Sequence, residues 1–252
     1  MPALIFDCDG VLADTERDGH RPAFNQAFAE AGLDVVWDEA EYARRLKIGG
    51  GKERIASLFP DADERRDEIL ALHKRKTAIY KEIVRAGKLP PRPGIARIVD
   101  EAIAAGWTLA VASTSAEESV RAVLEHAVGE ASAEHFAVFA GDVVPAKKPD
   151  PAIYVLALEE LGVGRADAIV VEDSRNGLLA AVGAGLRCLV TVSGYTAEED
   201  MSEAVMVVTS LGGPGEPARV LANRGAARPG GLVTLADIDA CRTQPMHEKE
   251  AV

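Results

Sequence analysis

The sequence predicts an α/β protein, in which a doubly wound parallel sheet carries an inserted domain of α-helices. Two observations support this prediction. Short apolar runs alternate with helical patterns from about residue 94 to about residue 210, whereas the stretch 15–88 contains helical patterns without a convincing strand. Alternation of strands and helices is typical of a parallel sheet covered by helices on both faces.

Six short apolar runs are the candidate strands. They are continuous and do not alternate with polar residues, which is typical of strands that are buried on both faces. The runs are Ala3–Phe6, Thr108–Ala112, Phe136–Ala140, Ala168–Val171, Cys188–Val192 and Ala204–Val208.

Helical patterns with recognisable ends lie between these runs. In "GIARIVDEAIAAG", apolar residues recur at helical spacing from Ile95, and Gly106 is placed to end the helix. In "DPAIYVLALEELG", Asp150 suits the N-cap, Pro151 the first helical position and Gly162 the stop. Both segments therefore predict helices of about three turns.

The helical insertion follows the first strand. It includes a long segment around 64–86 and ends at the proline-rich "KLPPRPG", which cannot be helix interior. We therefore predict a core domain formed by 1–15 and 90–252 and a helical cap domain formed by 16–89. Beyond about residue 212 the chain is rich in Gly and Pro and predicts a loose connection, followed by a short helix at "TLADIDACR".

The composition excludes some classes of partner. The 252 residues are 48% hydrophobic and 27% charged, which is ordinary for a globular protein. Their formal net charge of −12 makes nucleic acid or an anionic membrane an improbable main partner. An anionic substrate would need cationic side chains concentrated at its site. We expect a monomer.

The cysteines and the N-terminus bear on the compartment. Cys8, Cys188 and Cys241 form no CxxC pair, which favours packing thiols in a reducing compartment over disulfides or zinc ligands. The chain begins almost directly with an apolar run and has neither a basic n-region nor a long apolar segment. We expect no signal peptide or membrane span, and a cytoplasmic protein.

Polar side chains follow four of the predicted strands. Because ligands bind outside the carboxyl ends of the strands in an open α/β sheet, we expect these side chains to meet at one edge. The third of these strands, Phe136–Ala140, is followed by the segment "GDVVPA" and then by its polar residues, Lys147 and Lys148. In strand order the full set is Asp7 and Asp9; Ser113, Thr114 and Ser115; Lys147 and Lys148; and Glu172 and Asp173.

This set of groups predicts phosphoryl-transfer chemistry. Carboxylates from two strands offer the oxygen ligands that Mg²⁺ prefers. A serine and backbone N–H groups at a helix N-terminus suit phosphate oxygens, and a lysine can neutralise their charge. One carboxylate is then available as a covalent nucleophile.

Four stretches carry a family resemblance. In chain order, "DCDGVLADTE", "VASTS", "KKPDPAIY" and "VVEDSRNG" are similar to the four motifs of the haloacid dehalogenase superfamily of phosphotransferases, and they span 7–177. The resemblance implies a Rossmann-like core, and it implies that the inserted helices form a cap that closes over the substrate.

The resemblance also implies a role for each matched residue. Asp7 would be the nucleophile that forms an aspartyl-phosphate, and Asp9 would protonate the leaving oxygen and then activate water. Mg²⁺ would be held by Asp7, the backbone carbonyl of Asp9 and Asp173, with Glu172 alongside. Ser113 and Lys148 would hold the phosphoryl group, with Thr114 beside them. Lys148 is chosen over Lys147 because it directly precedes the proline.

A closer resemblance is to the CbbY branch of this superfamily, which is similar to xylulose-1,5-bisphosphate phosphatases. The stretches "DCDGVLADTERDGHRPAFN", "LKIGGGKERI", "FAGDVVPAKKPDPAIY" and "SGYTAEED" carry it, and the likeness covers about 3–208. It implies a small phosphorylated sugar as substrate, most specifically xylulose 1,5-bisphosphate. Beta-phosphoglucomutase shares the four motifs and the cap type, so a sugar phosphomutase is the alternative.

The cap supplies further candidate substrate contacts. The loop "GGGKER" is either a flexible turn or a source of cations, and its candidates are Gly50, Gly51, Lys52 and Arg54. The resemblance adds Glu16, His20 and Lys76. A single histidine on a helix is more often a core or surface residue, and "HKRK" at 73–76 is also consistent with a solvated face.

Some polar residues have simpler interpretations. Ser115 with Glu118 forms a possible capping box, and we interpret Ser115 as a helix cap. Asp173 or Ser174 could likewise cap the following helix. Cys8 lies between the two acids, and strand alternation should turn it away from them into the core.

Two other classes of function compete with catalysis. A signalling receiver domain also uses an acceptor Asp, a hydroxyl residue, a Lys and Mg²⁺, but receivers are small single domains without a helical insertion. A binding protein on a degenerate fold is disfavoured because every chemical position holds a competent residue. A dehalogenase would not need the second acid, Asp9.

Overall fold

A computed structural model of the chain describes residues 1–243. Its centre is a seven-stranded sheet in the order β3-β2-β1-β4-β5-β6-β7. All neighbouring pairs are parallel except the last, in which β7 runs antiparallel to β6. The strands are β1 (Ala3–Phe6), β2 (Thr108–Ser113), β3 (Phe136–Ala140), β4 (Ala168–Glu172), β5 (Arg187–Thr191), β6 (Met206–Val208) and β7 (Val220–Asn223).

Helices cover both faces of this sheet, which confirms the predicted doubly wound α/β class. Leu4 and Phe6 of β1 belong to the apolar cluster on one face, and Ala3 and Ile5 belong to the cluster on the other. This alternation explains why β1 is apolar at every position. The first cluster includes α5 (Ile95–Ala104), α6 (Glu117–Val128) and α10 (Leu235–Thr243), and the second includes α8 (Ala152–Leu161) and α9 (Arg175–Gly183); the one-turn α7 (Glu130–Ala133) follows α6.

Between β1 and α5 the chain forms the predicted run of helices. One turn of π-helix (Glu16–His20) leads into α1 (Arg21–Glu30), α2 (Glu39–Arg45), α3 (Gly51–Ala56) and α4 (Arg66–Arg85). These helices enclose an apolar cluster of their own, and the C-terminal half of α4 packs against the main core through Ile79 and Val84. The domain boundaries at 15/16 and 89/90 stay a prediction. The separate cluster comprises Phe24, Phe28, Trp37, Tyr42, Ile55, Ile69 and Leu72.

The structure bears on several local predictions about helix ends and about Cys8. Gly162 ends α8 in the left-handed conformation at φ 64°, and Asp150 Oδ1 accepts a hydrogen bond from the backbone N–H of Ala152 at 2.9 Å. The helix begins at Ala152, slightly later than predicted. Ser174 caps α9 by accepting from the N–H of Gly177. Cys8 is buried in the core, as expected.

The C-terminal region differs from its prediction in one respect. The stretch expected to be a loose connection contains β7, which adds an edge strand beside β6. The short terminal helix is present as α10 and packs against β4 and β5. Within 1–243, none of the helices has the length and apolar character needed to cross a bilayer.

Candidate active site

A cavity of about 600 Å³ lies between the carboxyl edge of the sheet and the helices of the insertion. The strand order places β1 at the centre, with β2 and β4 on either side, so the residues after these strands share the cavity floor. The insertion contributes the roof. Of the predicted site residues, those that line the cavity are Asp7, Asp9, Glu16, His20, Gly50, Gly51, Arg54, Lys76, Ser113, Thr114, Lys148, Glu172 and Asp173.

Lys148 is the electrostatic centre of the floor. Its Nζ lies 2.7 Å from Asp7 Oδ1, 2.7 Å from Glu172 Oε1, 2.8 Å from the carbonyl oxygen of Ala112 and 3.0 Å from the Tyr154 hydroxyl. Burial alone would lower the pKa of this lysine, but the carboxylates of Asp7 and Glu172 outweigh it and hold the pKa above its ordinary value. Lys148 is therefore a fixed positive charge beside Asp7.

Three carboxylates cluster on the floor. Oxygen atoms of Asp7, Glu172 and Asp173 lie within 4.8 Å of one another, and all three residues are buried. Burial raises the pKa of Asp7 to about 8, with Glu172 and Asp9 adding to the rise and Lys148 opposing it. Burial, Glu172 and Asp7 also raise the pKa of Asp173 well above its ordinary value. A proton or a cation can neutralise buried like charges of this kind, and the oxygen donors fit a hard divalent ion.

Two glycines allow these carboxylates to approach the backbone. A Cβ at position 10 would lie 2.1 Å from Asp173 Oδ2, and Gly10 has φ 78°. A Cβ at position 177 would lie 1.9 Å from the Glu172 carboxylate carbon. Positions 10 and 177 therefore both need a glycine, because any larger residue would displace the side chain of Asp173 or of Glu172.

Hydrogen-bond donors hold both carboxylate oxygens of Asp9. The Thr15 hydroxyl donates to Oδ1 at 2.6 Å, His20 Nε2 lies 2.8 Å from the same oxygen, and the Ser115 hydroxyl donates to Oδ2. Burial would raise the pKa of Asp9, but His20 and the hydroxyl hydrogen bonds outweigh it and hold the pKa well below the ordinary value. Asp9 is thus ionised in this state.

The interpretation of Ser115 as a helix cap is wrong. The N-cap position of α6 is Ala116, and no side chain accepts a hydrogen bond there. The Ser115 hydroxyl donates to Asp9 because the turn after β2 brings it to the cavity floor, where the half-buried, charged carboxylate makes a stronger hydrogen bond than a neutral backbone group does.

The end of β2 offers donors for phosphate oxygens. The buried Ser113 hydroxyl lies on the cavity floor and accepts a hydrogen bond from the N–H of Ser115 at 3.2 Å. Thr114 and Ala116 also line the cavity, just before α6 begins. The strand-to-helix turn therefore combines a hydroxyl group with the N-terminus of a helix.

His20 and Lys76 extend the hydrogen-bond chain from Asp9 into the roof. Lys76 Nζ lies 2.7 Å from His20 Nδ1, and the Tyr80 ring stacks on the imidazole at 3.9 Å between centroids. Burial lowers the pKa of Lys76 to about 8. A charged Lys76 donates to Nδ1, which leaves the Nε2–H of His20 to donate to Asp9.

Glu16 and Arg54 meet through a tyrosine. The buried Arg54 guanidinium donates to the Tyr42 hydroxyl at 3.0 Å, and that hydroxyl donates to Glu16 Oε2. Arg54 also donates to the carbonyl oxygens of Arg45 and Ile48. The structure thus brings both predicted residues to the roof as parts of one network.

Lys52 is the predicted contact that the structure does not bring to the cavity. Its Nζ pairs with Asp142, in the loop after β3, and Lys147 Nζ binds the other oxygen of the same carboxylate at 2.7 Å. A Cβ at position 49 would lie 3.0 Å from the carbonyl oxygen of Lys148, so the glycine loop lies directly on this core segment. Lys52 points away from the cavity because it pairs with the exposed carboxylate of Asp142 beside the loop.

Sequence reasoning missed several residues of this site. Tyr154 hydrogen-bonds both Lys148 and Glu172, and its only signal was its place in the motif "KKPDPAIY". Thr15 lay in the quoted "DCDGVLADTE" but was given no role. His73 and Tyr195 also line the cavity. They stand in the quoted stretches "HKRK" and "SGYTAEED", but neither residue was assigned a role there.

Comparisons with known proteins find close relatives. A family model for haloacid dehalogenase-like hydrolases matches 1–185. A CBBY-like protein of Arabidopsis thaliana is 50% identical over 224 residues, covering 85% of this chain and 70% of that protein. Protein CbbY, plasmid, of Cupriavidus necator is 44% identical over 225 residues, covering 86% of this chain and 88% of that protein. The crystal structure of an Asp-to-Asn mutant of CbbY from Rhodobacter sphaeroides in complex with xylulose-(1,5)bisphosphate matches with a TM-score of 0.77 and 42% identity, covering 84% of this chain and 97% of that one.

Proposed function

Since this chain belongs to the haloacid dehalogenase-like hydrolase family, we propose that it is a Mg²⁺-dependent phosphatase that hydrolyses a small phosphorylated sugar through an aspartyl-phosphate on Asp7. One observation carries this proposal. The Asp7 carboxylate lies on the floor of a roofed cavity, 2.7 Å from the buried Lys148 ammonium and within a cluster of three acids. A nucleophile, a phosphate-neutralising charge and a cation site thus coincide.

In the first step, an Asp7 oxygen attacks phosphorus. The bond between phosphorus and the sugar oxygen breaks, and that oxygen takes a proton from Asp9, which has first been protonated by His20. Ser113 and Lys148 bind the phosphoryl oxygens, and Lys148 neutralises the charge that develops on them. His20 Nε2–H passes its proton to Asp9, and the Lys76 ammonium replaces it by giving a proton to His20 Nδ1; the proton that Asp9 takes from water in the second step returns to Lys76 by the same route.

In the second step, Asp9 accepts a proton from water as the water oxygen attacks phosphorus. The bond between phosphorus and Asp7 breaks, inorganic phosphate leaves and the free carboxylate is restored. The donors from Thr15, His20 and Ser115 suit this step, because they stabilise an ionised Asp9 that can act as a base.

The site has residues suited to the cation. Asp7, Asp173 and the backbone carbonyl of Asp9 would hold Mg²⁺, with Glu172 alongside. The cation would supply charge neutralisation among three buried carboxylates and at the phosphoryl oxygens. Removal of Mg²⁺ should therefore abolish activity.

We further propose xylulose 1,5-bisphosphate as the substrate. The Rhodobacter CbbY that binds this compound is 42% identical to this chain. A second phosphate would need cations away from the floor, and Lys47, Arg54 and Lys76 line the roof of the cavity in a chain of net charge −12. The cavity of about 600 Å³ also suits a small sugar bisphosphate.

The test is phosphate release from xylulose 1,5-bisphosphate beside beta-glucose 1-phosphate, with Mg²⁺ or EDTA. We expect rapid release from the bisphosphate that EDTA abolishes and that Asp7→Asn lowers by at least three orders of magnitude. Formation of glucose 6-phosphate from beta-glucose 1-phosphate with a bisphosphate primer would show that the enzyme is a mutase and not a phosphatase. Release that survives Asp7→Asn would contradict the mechanism.

A further inference from the structure

Helix α4 presents a short polar face to the roof of the cavity. His73, Lys76 and Thr77 lie on adjacent turns and all line the cavity. Lys76 is bound to His20, and the Thr77 hydroxyl donates to the carbonyl oxygen of His73. The imidazole of His73 is the remaining polar group of this face, and the steps proposed for phosphoryl transfer do not use it.

The His73 ring has unused hydrogen-bonding capacity. Within 1–243, neither ring nitrogen has a hydrogen-bond partner, although the ring is more than half buried. Polar groups that face a binding cavity without a protein partner are available to a ligand. Lys148, Asp9 and Arg54 differ from His73, because protein atoms already occupy much of their hydrogen-bonding capacity.

Packing fixes the position of this ring. A Cβ at position 51 would lie 2.9 Å from His73 Nε2 and 3.0 Å from its Cδ2, so the ring lies directly against the backbone of Gly51. The same position would be 3.7 Å from the Phe24 ring. His73 is therefore held in place before a ligand arrives, which lowers the entropy cost of a hydrogen bond to it.

The ring is neutral at physiological pH. Burial, together with the nearby Lys76 and Lys52 ammonium groups, lowers the pKa of His73 to about 4. A neutral imidazole offers one N–H donor and one nitrogen acceptor. A sugar hydroxyl can pair with either nitrogen, since it both donates and accepts, whereas a phosphate dianion only accepts and can pair only with the N–H.

We infer that His73 is a specificity-determining residue that hydrogen-bonds a hydroxyl group of the sugar, away from the phosphoryl group that is transferred. This inference rests on the proposed function, because it assumes a phosphorylated sugar in the cavity. It assigns the ring to recognition of the polyol chain, and it leaves phosphoryl transfer to the residues of the floor.

The test compares two substrates in two variants. His73→Phe keeps the ring packed on Gly51 without its nitrogens, and His73→Gln keeps a donor and an acceptor. p-Nitrophenyl phosphate has no sugar hydroxyl and reports phosphoryl transfer alone. For His73→Phe we expect kcat/KM with xylulose 1,5-bisphosphate to fall roughly two- to tenfold, as for one lost hydrogen bond, with partial recovery in His73→Gln.

The p-nitrophenyl phosphate rate should stay within twofold of wild type in both variants, and an unchanged Tm would show that they are folded. An equal loss with both substrates, or no loss with either, would overturn the inference alone, because the wild-type enzyme would still hydrolyse the sugar phosphate. A wild-type enzyme that cleaves p-nitrophenyl phosphate but none of the sugar phosphates would overturn the proposed function, and the inference with it.

Discussion

At the scale of single residues, Glu172 depends on a glycine in the helix that follows it. Its carboxylate anchors Lys148 and Tyr154 and occupies the space that a side chain at position 177 would need. Helix propensity alone would favour alanine at this position, by up to about 1 kcal/mol. Because Cβ would lie about 2 Å from the buried carboxylate, the steric conflict should outweigh this preference.

We therefore expect Gly177→Ala to lower Tm and to reduce kcat at least tenfold by displacing Glu172 and, through it, Lys148. Gly183→Ala, at the end of the same helix, is the matched control, since its Cβ would meet only Pro151 at ordinary contact distances of 3.4 Å or more. Thermal unfolding and steady-state kinetics on both variants check this. If both substitutions were equally tolerated, the packing around Glu172 described above would be wrong.

Lys76 should give substrate binding a pH dependence. Burial lowers its pKa to about 8, so the side chain is charged at pH 7 and loses its charge as pH rises through 8. An anionic substrate is fully ionised over this range, and we expect its KM to rise several-fold between pH 7 and pH 9.

Lys76→Met is the corresponding variant, because methionine keeps much of the volume but has no charge to lose. Its KM should be high at pH 7 and nearly flat up to pH 9. If the variant retained the wild-type slope, the titrating group would have to be sought elsewhere in the cavity.

At the scale of elements, two lysine–carboxylate pairs within residues 1–243 join the helical insertion to the rest of the structure. Lys52 in α3 pairs with Asp142, and Lys81 in α4 lies 2.5 Å from Glu118 Oε2 in α6. The carboxylate of each pair is largely exposed, and such surface pairs contribute little to stability. We interpret the Lys52–Asp142 pair as a contact that holds the roof over the cavity.

If this interpretation is right, Asp142→Asn and Lys52→Gln should raise KM to a similar extent, by less than about fivefold. The double variant should add little, and the effect should shrink in high salt. Arg75→Gln, which breaks an ion pair with Glu30 inside the insertion, is the control and should leave KM unchanged. A much larger effect of Lys52→Gln than of Asp142→Asn would instead place Lys52 on the substrate, as the sequence predicts.

Some elements could be predicted from the sequence and others could not. The buried parallel strands were predictable because burial on both faces leaves a continuous apolar run. Strand β7 was not, since its four residues are half exposed and lie within a Gly- and Pro-rich stretch. The partner of Lys52 lies 90 residues away, and no local pattern links the two. Ser115 could be read as a cap because a capping box and a loop serine look alike in sequence.

At the scale of the whole molecule, the resemblance to haloacid dehalogenases is confirmed by the family match over 1–185. The sheet continues past this range through β5, β6 and β7. The floor of the site was predictable because strand ends converge in this class. The roof residues depended mainly on the family resemblance, because helix packing decides which side chains reach the cavity, and that packing turns Lys52 away from it. The roles of the individual site residues stay predictions.

The cluster of three acids links the cation to the stability of the whole fold. Burial and mutual repulsion raise the pKa of Asp7 and of Asp173. Keeping these carboxylates ionised in the cation-free protein therefore lowers the free energy of unfolding. We expect Mg²⁺ to raise Tm, since a ligand of the folded state stabilises it. Asp173→Asn should raise Tm in EDTA and abolish the response to Mg²⁺. A variant that still gained stability from Mg²⁺ would place the cation elsewhere.

The measurement that tests the central claim most directly is the trapping of phosphate on the chain. The enzyme would be mixed with ³²P-labelled substrate and Mg²⁺, quenched in acid within one turnover and digested to peptides. We predict a label on the peptide that contains Asp7, labile to base as an acyl phosphate should be, and no label in Asp7→Asn. Label on another peptide, or full turnover without any labelled peptide, would contradict the assignment of Asp7 as the nucleophile.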